Sequence, residues 1–452
     1  MLGEKPLHLN PALKHRLKKI IALALPSGIN SFLDIFNIAI VLYFISDFGD
    51  LEVLAVGISL NYLILFFAIH AIFYVGTNAQ ISRYFGAKEY DKIRAVFLSV
   101  CTGGLLIAMP MIYVGRIGAG IFLDWMGMGQ EVSKMALDYT NIIIYALPSI
   151  MLKNIIISSL AGIGNTYLPL FIRLFNTILG FFLNYICIFG MEGLGIEGRG
   201  MLGAGIANLI IAYFEILIFF IVLYFRTHFL DCLTLQKKYF FKALRIGIPS
   251  GIERFLTIFS IILTGKLIAN YGDLVLAGSQ IGARIEAFSF MPGFGFMIAA
   301  MVLMGQNLGA NKAKLAGLYI RTILGFSSIV MGISGILLVY FSRDFSKIFS
   351  ANEVVLQNAV YYLFAVGLSQ IPMICCFVFD GALRGAGITK ITLAINTISI
   401  WVGRILPMSL VVWLGGDILW IFAIIFTETY IRAIIFYLVF RTGIWRRAGS
   451  EI

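Results

Sequence analysis

The chain has 452 residues, 60% of them hydrophobic and only 13% charged, with a mean hydropathy of +0.94. Soluble domains carry about 25% charged residues, so this composition excludes a water-soluble enzyme or a nucleic-acid binder despite the formal net charge of +11. Its long unbroken apolar runs exclude the short alternating strands of an outer-membrane barrel and leave an all-α polytopic membrane protein.

The first nineteen residues are polar and basic. No small-residue cleavage signal follows the next apolar run, so it is expected to be a retained first helix, not a signal peptide. At roughly 20 apolar residues per span, six helices are predicted near 20–43, 53–79, 95–115, 139–161, 168–190 and 203–225. Six more fall near 246–269, 276–303, 318–341, 356–380, 388–413 and 418–440. This divides the chain into a first lobe (1–225), a polar cytoplasmic linker (226–245) and a second lobe (246–452). With the N-terminus inside, 22 Lys and Arg, Lys5 and Arg384 among them, fall in inside segments and five in outside loops. The positive-inside rule therefore places both termini in the cytoplasm.

Charge within a span costs about 2.5–3.5 kcal/mol on insertion scales, so each such residue needs a reason. Six acids qualify: Asp34, Glu215, Glu253, Glu286, Asp380 and Glu428. Seven bases qualify: Lys153, Arg173, Arg254, Lys266, Arg284, Arg404 and Arg432. Arg173, Glu215 and Asp380 lie where snorkelling to an interface is expected. On helix 1, Ser27, Asn30, Asp34 and Asn37 share one face, with Asp34 near mid-depth. That stripe reads as a hydrogen-bonding seam between helices, or as a site where a desolvated Asp34 carboxylate binds and releases H+. On helix 5, Asn176 and Asn184 form a similar stripe around Gly180, and Asn184 is the expected partner of Asp34.

Helix 2 carries Asn61, His70, Tyr74 and Asn78, and helix 10 carries Tyr361, Tyr362 and Gln370. These line a cavity or simply pack. Pro26 and Pro249, near the starts of helices 1 and 7, allow bending by removing a backbone bond, or sit harmlessly in the first turn. In the second half Glu253 and Arg254 are adjacent, and so nearly are Arg284 and Glu286. Pairing between helices 7 and 8 is expected, for example Glu253 with Arg284, as a structural pair or a second coupling site. Arg404, just before Pro407, is expected to partner one of these acids. The five cysteines (Cys101, Cys187, Cys232, Cys375 and Cys376) form no C-x-x-C pair, and the four histidines (His8, His15, His70 and His228) are scattered, so no metal or redox site is expected.

The two halves repeat. Leu25-Pro26-Ser27-Gly28-Ile29 recurs as Ile248-Pro249-Ser250-Gly251-Ile252, Phe85-Gly86-Ala87 as Leu308-Gly309-Ala310, and Leu160-Ala161-Gly162-Ile163-Gly164 as Leu383-Arg384-Gly385-Ala386-Gly387. All three pairs are offset by 223 residues. An even number of spans per copy makes the repeat parallel, with its pseudo-two-fold axis along the membrane normal. Two such six-helix lobes around a central cavity point to a transporter, not a membrane enzyme. The turn glycines are expected to supply left-handed C-caps.

These motifs, with Gly162-Ile163-Gly164-Asn165-Thr166, Phe290-Met291-Pro292-Gly293-Phe294-Gly295, Gly305-Gln306-Asn307 and Gly381-Ala382, give the chain its likeness to a family. It resembles the multidrug and toxic compound extrusion (MATE) transporters over nearly its whole length. The resemblance implies a bacterial inner-membrane antiporter that expels amphipathic, often cationic, organic compounds by alternating access in exchange for H+ or Na+. It needs no other cofactor and is expected to act as a monomer, without nucleic acid. The wider superfamily includes flippases for lipid-linked sugars, which makes transport of anionic lipids the alternative. The family's helix-1 acid falls on Val41 here, its upstream helix-5 Asn on Gly180 and its helix-5 acid or amide on Asn184. The helix-7 and helix-10 acids of sodium-coupled members fall on Thr257 and Met373, so Asp34 and Glu253 are the expected substitutes. On this reading, protonation of Asp34 lets helix 1 bend and release substrate outward. The candidate coupling set is Asp34, Asn30, Asn37, Asn176 and Asn184 in the first lobe and Glu253, Arg284 and Glu286 in the second.

Overall fold

A computed structural model describes residues 11–191, 193, 195–226 and 234–447. Lys5, His8, His228, Cys232, residues 227–233 of the expected linker and the tail 448–452 lie outside the described residues. The first half contains α1 (Pro11–Ile45), α2 (Asp50–Ile64), α3 (Phe67–Gly86), α4 (Tyr90–Met126), α5 (Gln130–Ile143), α6 (Leu147–Gly162), α7 (Tyr167–Phe189) and α8 (Gly200–Arg226). A two-residue antiparallel hairpin, β1 (Gly190–Met191) with β2 (Ile196–Glu197), joins α7 to α8. The second half contains α9 (Lys237–Ala269), α10 (Asp273–Gly309), α11 (Ala313–Tyr340), α12 (Ser342–Lys347), α13 (Glu353–Leu368), α14 (Gln370–Gly385), α15 (Thr389–Ile400), α16 (Leu406–Trp413), α17 (Ile418–Arg441) and α18 (Ile444–Arg447).

Among the described residues ten helices are long and apolar enough to cross a membrane, and counting each of the bent pairs α2–α3 (42°) and α13–α14 (53°) as one span brings the number to twelve. The helices overrun the predicted spans at most ends, because hydropathy marks only the hydrocarbon-embedded part of a helix. Span 7, for example, begins at Lys237. The bend in span 10 has a local cause. Pro372 has no N–H to give to Leu368, and the freed carbonyl accepts instead from Tyr430 Oη at 3.0 Å.

The proline alternative is settled in the same way. Because α1 and α9 start at Pro11 and Lys237, Pro26 and Pro249 lie inside their helices, not in a first turn. The Ala22 carbonyl that Pro26 leaves open accepts from Thr166 Oγ1 at 2.7 Å. The repeat-related Thr389 Oγ1 donates at 2.6 Å to the Ile246 carbonyl, one residue beyond the Arg245 carbonyl that Pro249 leaves open.

The glycine caps need correcting. After α3 and α10 the left-handed residues are Lys88 (φ 61°) and Asn311 (φ 57°), not Gly86 and Gly309. The motif is nevertheless symmetric. Glu89 N donates to Tyr84 O and Lys88 N to Phe85 O, while Lys312 N donates to Asn307 O and Asn311 N to Leu308 O. These are paired Schellman bonds. Gly164 and Gly387 do take the left-handed role.

Gly86 and Gly309 serve close approach between the lobes instead. A Cβ on Gly86 would overlap the Gln306 carbonyl, and one on Gly309 the Arg83 carbonyl. These two crossings are the same contact related by the 223-residue offset. Gly28 against Met291 O and Gly251 against Ala68 O form a second such pair. Gly295 against Ala24 O and Gly247 against Ile72 O form a third, with the glycine on opposite partners. All lie in the halves of spans 1, 2, 7 and 8 nearest the α3–α4 and α10–α11 turns. At that face α3 packs on α9 and α10, and α1 on α10. At the opposite face α2, α5, α13 and α16 pack mainly within their own lobes. Each lobe has its own apolar core, one around Phe73, Phe97 and Phe219 and the other around Met304, Phe379 and Phe436.

Candidate functional site

The lobes part into a cavity of about 890 Å³. Its floor is the glycine-sealed face, and its second-lobe wall climbs as far as Ile268 and Ser279 near the opposite ends of α9 and α10. A concave chamber of this size between two bundles is where ligand sites form.

On the first-lobe wall, Asp34 of α1 is ion-paired with Arg173 of α7. Arg173 lies 3.8 Å from Glu215 of α8, which is 3.7 Å from Lys153 of α6. Asp34 is 58% exposed at its side chain, whereas Arg173 and Glu215 are 8% and 5% exposed. The expected partnership with Asn184 does not form. Spans 1 and 5 run parallel, so Asn184 lies eleven residues beyond Arg173, about 16 Å along the axis, and its amide donates to Gly180 O at 2.9 Å. Asn37 donates to Thr177 Oγ1 at 3.2 Å. Asn30 lines the cavity, while Asn176 is buried outside it.

The second-lobe wall carries three polar clusters. In the first, Glu253 Oε1 of α9 accepts from Arg384 Nη2 at 2.7 Å and Asn396 Nδ2 at 2.8 Å. Arg384 Nε lies 2.7 Å from Asp380 Oδ2. Glu253 Oε2 is buried and has no hydrogen-bond partner among the described residues. In the second, Glu428 accepts from Ser399 Oγ at 2.7 Å and from Arg404 Nη2 at 2.5 Å, with Arg432 Nε at 3.2 Å. Arg404 sits in the π-helical turn Trp401–Ile405 between α15 and α16, the kind of local widening that re-aims a side chain. In the third, Tyr362 Oη donates to Glu286 Oε2 at 2.6 Å.

Several expectations change. Glu253 pairs with Arg384, not Arg284, and Arg284 is exposed outside the cavity lining. Arg404 partners Glu428, not Glu253 or Glu286. Arg173, Glu215 and Asp380 are buried and paired instead of snorkelling. Glu253 and Arg254 both line the cavity. Val41 is buried in an apolar cluster, but Thr257 and Met373 line the chamber. Of the polar and aromatic residues on spans 2 and 10, His70, Tyr74 and Tyr362 reach the wall. Asn78 instead donates to Ser158 O, and Gln370 accepts from Ser289. Arg384, counted as a topology signal, belongs to the site. Its position four residues after Asp380 was the available clue, because i,i+4 acid–base pairs meet on a helix. Asn396 was also missed, and it is the 223-offset counterpart of Arg173. Among the described residues no cluster of three or more His, Cys, Asp or Glu could hold a metal ion.

The MatE family pattern matches residues 26–186 and again residues 249–410. The two matches begin at the two repeat-related prolines. A probable multidrug resistance protein NorM from Thermotoga maritima is 27% identical over 405 residues, covering 87% of this chain and 85% of its own. The multidrug export protein MepA of Staphylococcus aureus is 22% identical over 377 residues, with 82% of each chain covered. Among solved structures, a Vibrio cholerae MATE transporter superposes with a TM-score of 0.89 at 18% identity, covering 96% of this chain and 98% of that one. An outward-facing multidrug resistance transporter of the MOP superfamily superposes with a TM-score of 0.87 at 17% identity over 97% of each chain.

Proposed function

Since this chain belongs to the MatE family, we propose that it exports drug-like amphipathic compounds across the bacterial inner membrane by alternating access, driven by inward movement of H+ or Na+. The carrying observation is the chamber, closed at one face by the glycine crossings and open between the lobes at the other. With the termini in the cytoplasm, as the Lys and Arg bias argues, this is an outward-facing state. Relatives named for multidrug resistance and multidrug export support the substrate class. The protein is read as a monomeric transporter without enzymatic activity.

Coupling follows from which helices the acids tie together. Asp34–Arg173 joins span 1 to span 5, and Glu253–Arg384 joins span 7 to span 10. A proton on either carboxylate removes the charge that holds its arginine. In the first lobe this frees span 1 to bend at Pro26. Glu253 is the second-lobe counterpart, because its Oε2 is open to a proton or a cation while Oε1 holds two donors. Asn30, the 223-offset counterpart of Glu253, and Asn37 complete the stripe beside Asp34. Asn176 and Asn184 act from behind the wall as helix-packing groups. Glu286 is tied to Tyr362, and Arg284 has no place in the site.

The test is proteoliposome efflux driven separately by ΔpH and by ΔNa+. Asp34→Asn abolishes proton-driven efflux, while the protein stays folded because Asp34 itself is exposed to the cavity and Glu215, 3.8 Å from Arg173, still compensates the buried guanidinium. Undiminished efflux in that variant sinks the coupling assignment. Flipping of lipid-linked sugars is the weaker reading. A diphosphate head calls for several free bases, and five of the six bases on the wall are engaged by acids.

A further inference from the structure

Among the described residues, two charged side chains on the cavity wall are exposed, Asp34 and Arg254. Asp34 is neutralised by Arg173. Arg254 has no ion pair or hydrogen bond to another described residue. Its neighbour Glu253 turns Oε1 to Arg384 and Asn396 instead. Arg254 lies within the cavity-facing stripe of α9 formed by Ser250, Arg254, Thr257, Ile261 and Thr264, whose 4-3-4-3 spacing is one helix face. Among the described residues the wall therefore presents one exposed cation whose N–H donors are unused, its charge offset only through space by Glu253, which shares Arg384 with Asp380, and no exposed anion without an ion-pair partner.

The apolar part of a ligand has a place in the same lobe. Phe294 and Phe377 stack with centroids 5.2 Å apart, Phe290 lies 6.0 Å from Phe377, and all three line the cavity. Phe377 and Arg384 are seven residues apart on α14, so they share a face with an axial offset of about 10 Å. Arg384 is an electrostatic neighbour of Arg254. An aromatic shelf and an unpaired guanidinium thus line the same lobe of one chamber.

Resting on the export reading above, we propose that the chamber takes amphipathic organic monoanions, with a flat apolar ring on Phe294 and Phe377 and a carboxylate or phosphate on Arg254. The planar guanidinium can donate two parallel N–H bonds to such a group. One free arginine suits a single anionic group, not a polyphosphate.

The test is equilibrium binding to the purified full-length protein, read by calorimetry without transport. The probes are 1-naphthylacetate and its cationic analogue 1-naphthylmethyl-trimethylammonium. The wild type binds the anion at least tenfold more tightly than the cation. Arg254→Gln weakens anion binding at least tenfold, about 1.4 kcal/mol, and leaves cation binding unchanged. Arg254→Lys keeps part of the affinity, since it retains the charge without the fork, and Arg254→Glu reverses the preference. Melting curves verify that each variant is folded. Tighter binding of the cation by the wild type, binding of neither probe, or undiminished anion binding by Arg254→Gln overturns the proposal. Competition by dihexanoyl phosphatidate, if stronger than by 1-naphthyl phosphate, assigns the anion to a lipid headgroup, and the reverse order assigns it to a free solute. Anion binding that persists without efflux in proteoliposomes refutes export and leaves this proposal standing.

Discussion

On the alternating-access reading proposed above, adding one methyl group at Gly86 or Gly309 should tip the protein toward the state in which this face is open. The new Cβ at Gly86 overlaps the Gln306 carbonyl and comes within 2.9 Å of the Gln306 Cα, and the one at Gly309 comes within 3.0 Å of the Arg83 Cα. Neither carbonyl can swing aside cheaply. Gln306 O accepts from Ala310 N and Arg83 O from Ala87 N, each at 3.0 Å. The lobes must therefore part. Overpacking of this kind costs about 1–3 kcal/mol, and the cost falls only on the state in which this face is closed. The helix-propensity gain of alanine cancels, because the helices persist in both states. The population ratio then shifts by about 5- to 150-fold for each substitution. Spin labels at Asp50→Cys and Asp273→Cys, the exposed first residues of α2 and α10, report the opening at the other face once the five native cysteines are replaced. Their separation should shorten in Gly86→Ala and in Gly309→Ala. Gly57→Ala and Gly120→Ala, where a Cβ meets nothing within 4 Å, should leave it unchanged. An unaltered distance distribution in both seal variants would falsify the view that these crossings hold the closed face.

Two further outcomes concern stability. Glu428 has a fully buried side chain that holds Arg404 and Arg432, so Glu428→Gln strands two cations in the lobe interior at a cost of about 3–5 kcal/mol. Thermal melting in detergent should show a far larger loss than for Asp34→Asn, and equal losses would contradict the burial argument. Lys88 holds a left-handed conformation that its counterpart Asn311 tolerates better. Lys88→Asn should therefore stabilise the protein by up to about 1 kcal/mol, and a lower melting temperature would count against that account.

Span number and lobe pairing were legible in the sequence, because hydropathy and the 223-residue offset are properties of single segments. The ion pairs were not, because they depend on how neighbouring helices are set against each other. Asp34 was recognised, but its partner was sought on Asn184 when the parallel run of α1 and α7 brings Arg173 alongside. Glu253 was recognised, but Arg284 was preferred to Arg384, whose position beside a basic turn disguised it as a topology signal. Gly86 read as a helix cap because a glycine after an apolar run usually is one. Only the facing helix reveals that it clears room for another backbone.

The third glycine crossing bears on how the two halves recognise each other. In one copy the small residue is on span 8, Gly295 against Ala24, and in the other it is on span 7, Gly247 against Ile72. Were the first half to pair with a second copy of itself, Ala24 would confront Ile72 at both crossings with no glycine at either. Two second halves would set Gly247 against Gly295 twice and leave both crossings hollow. The halves are thus a lock and its key rather than two equal castings. They are matched in fold but unable to trade places, and the glycines suit this face to close in the arrangement seen here.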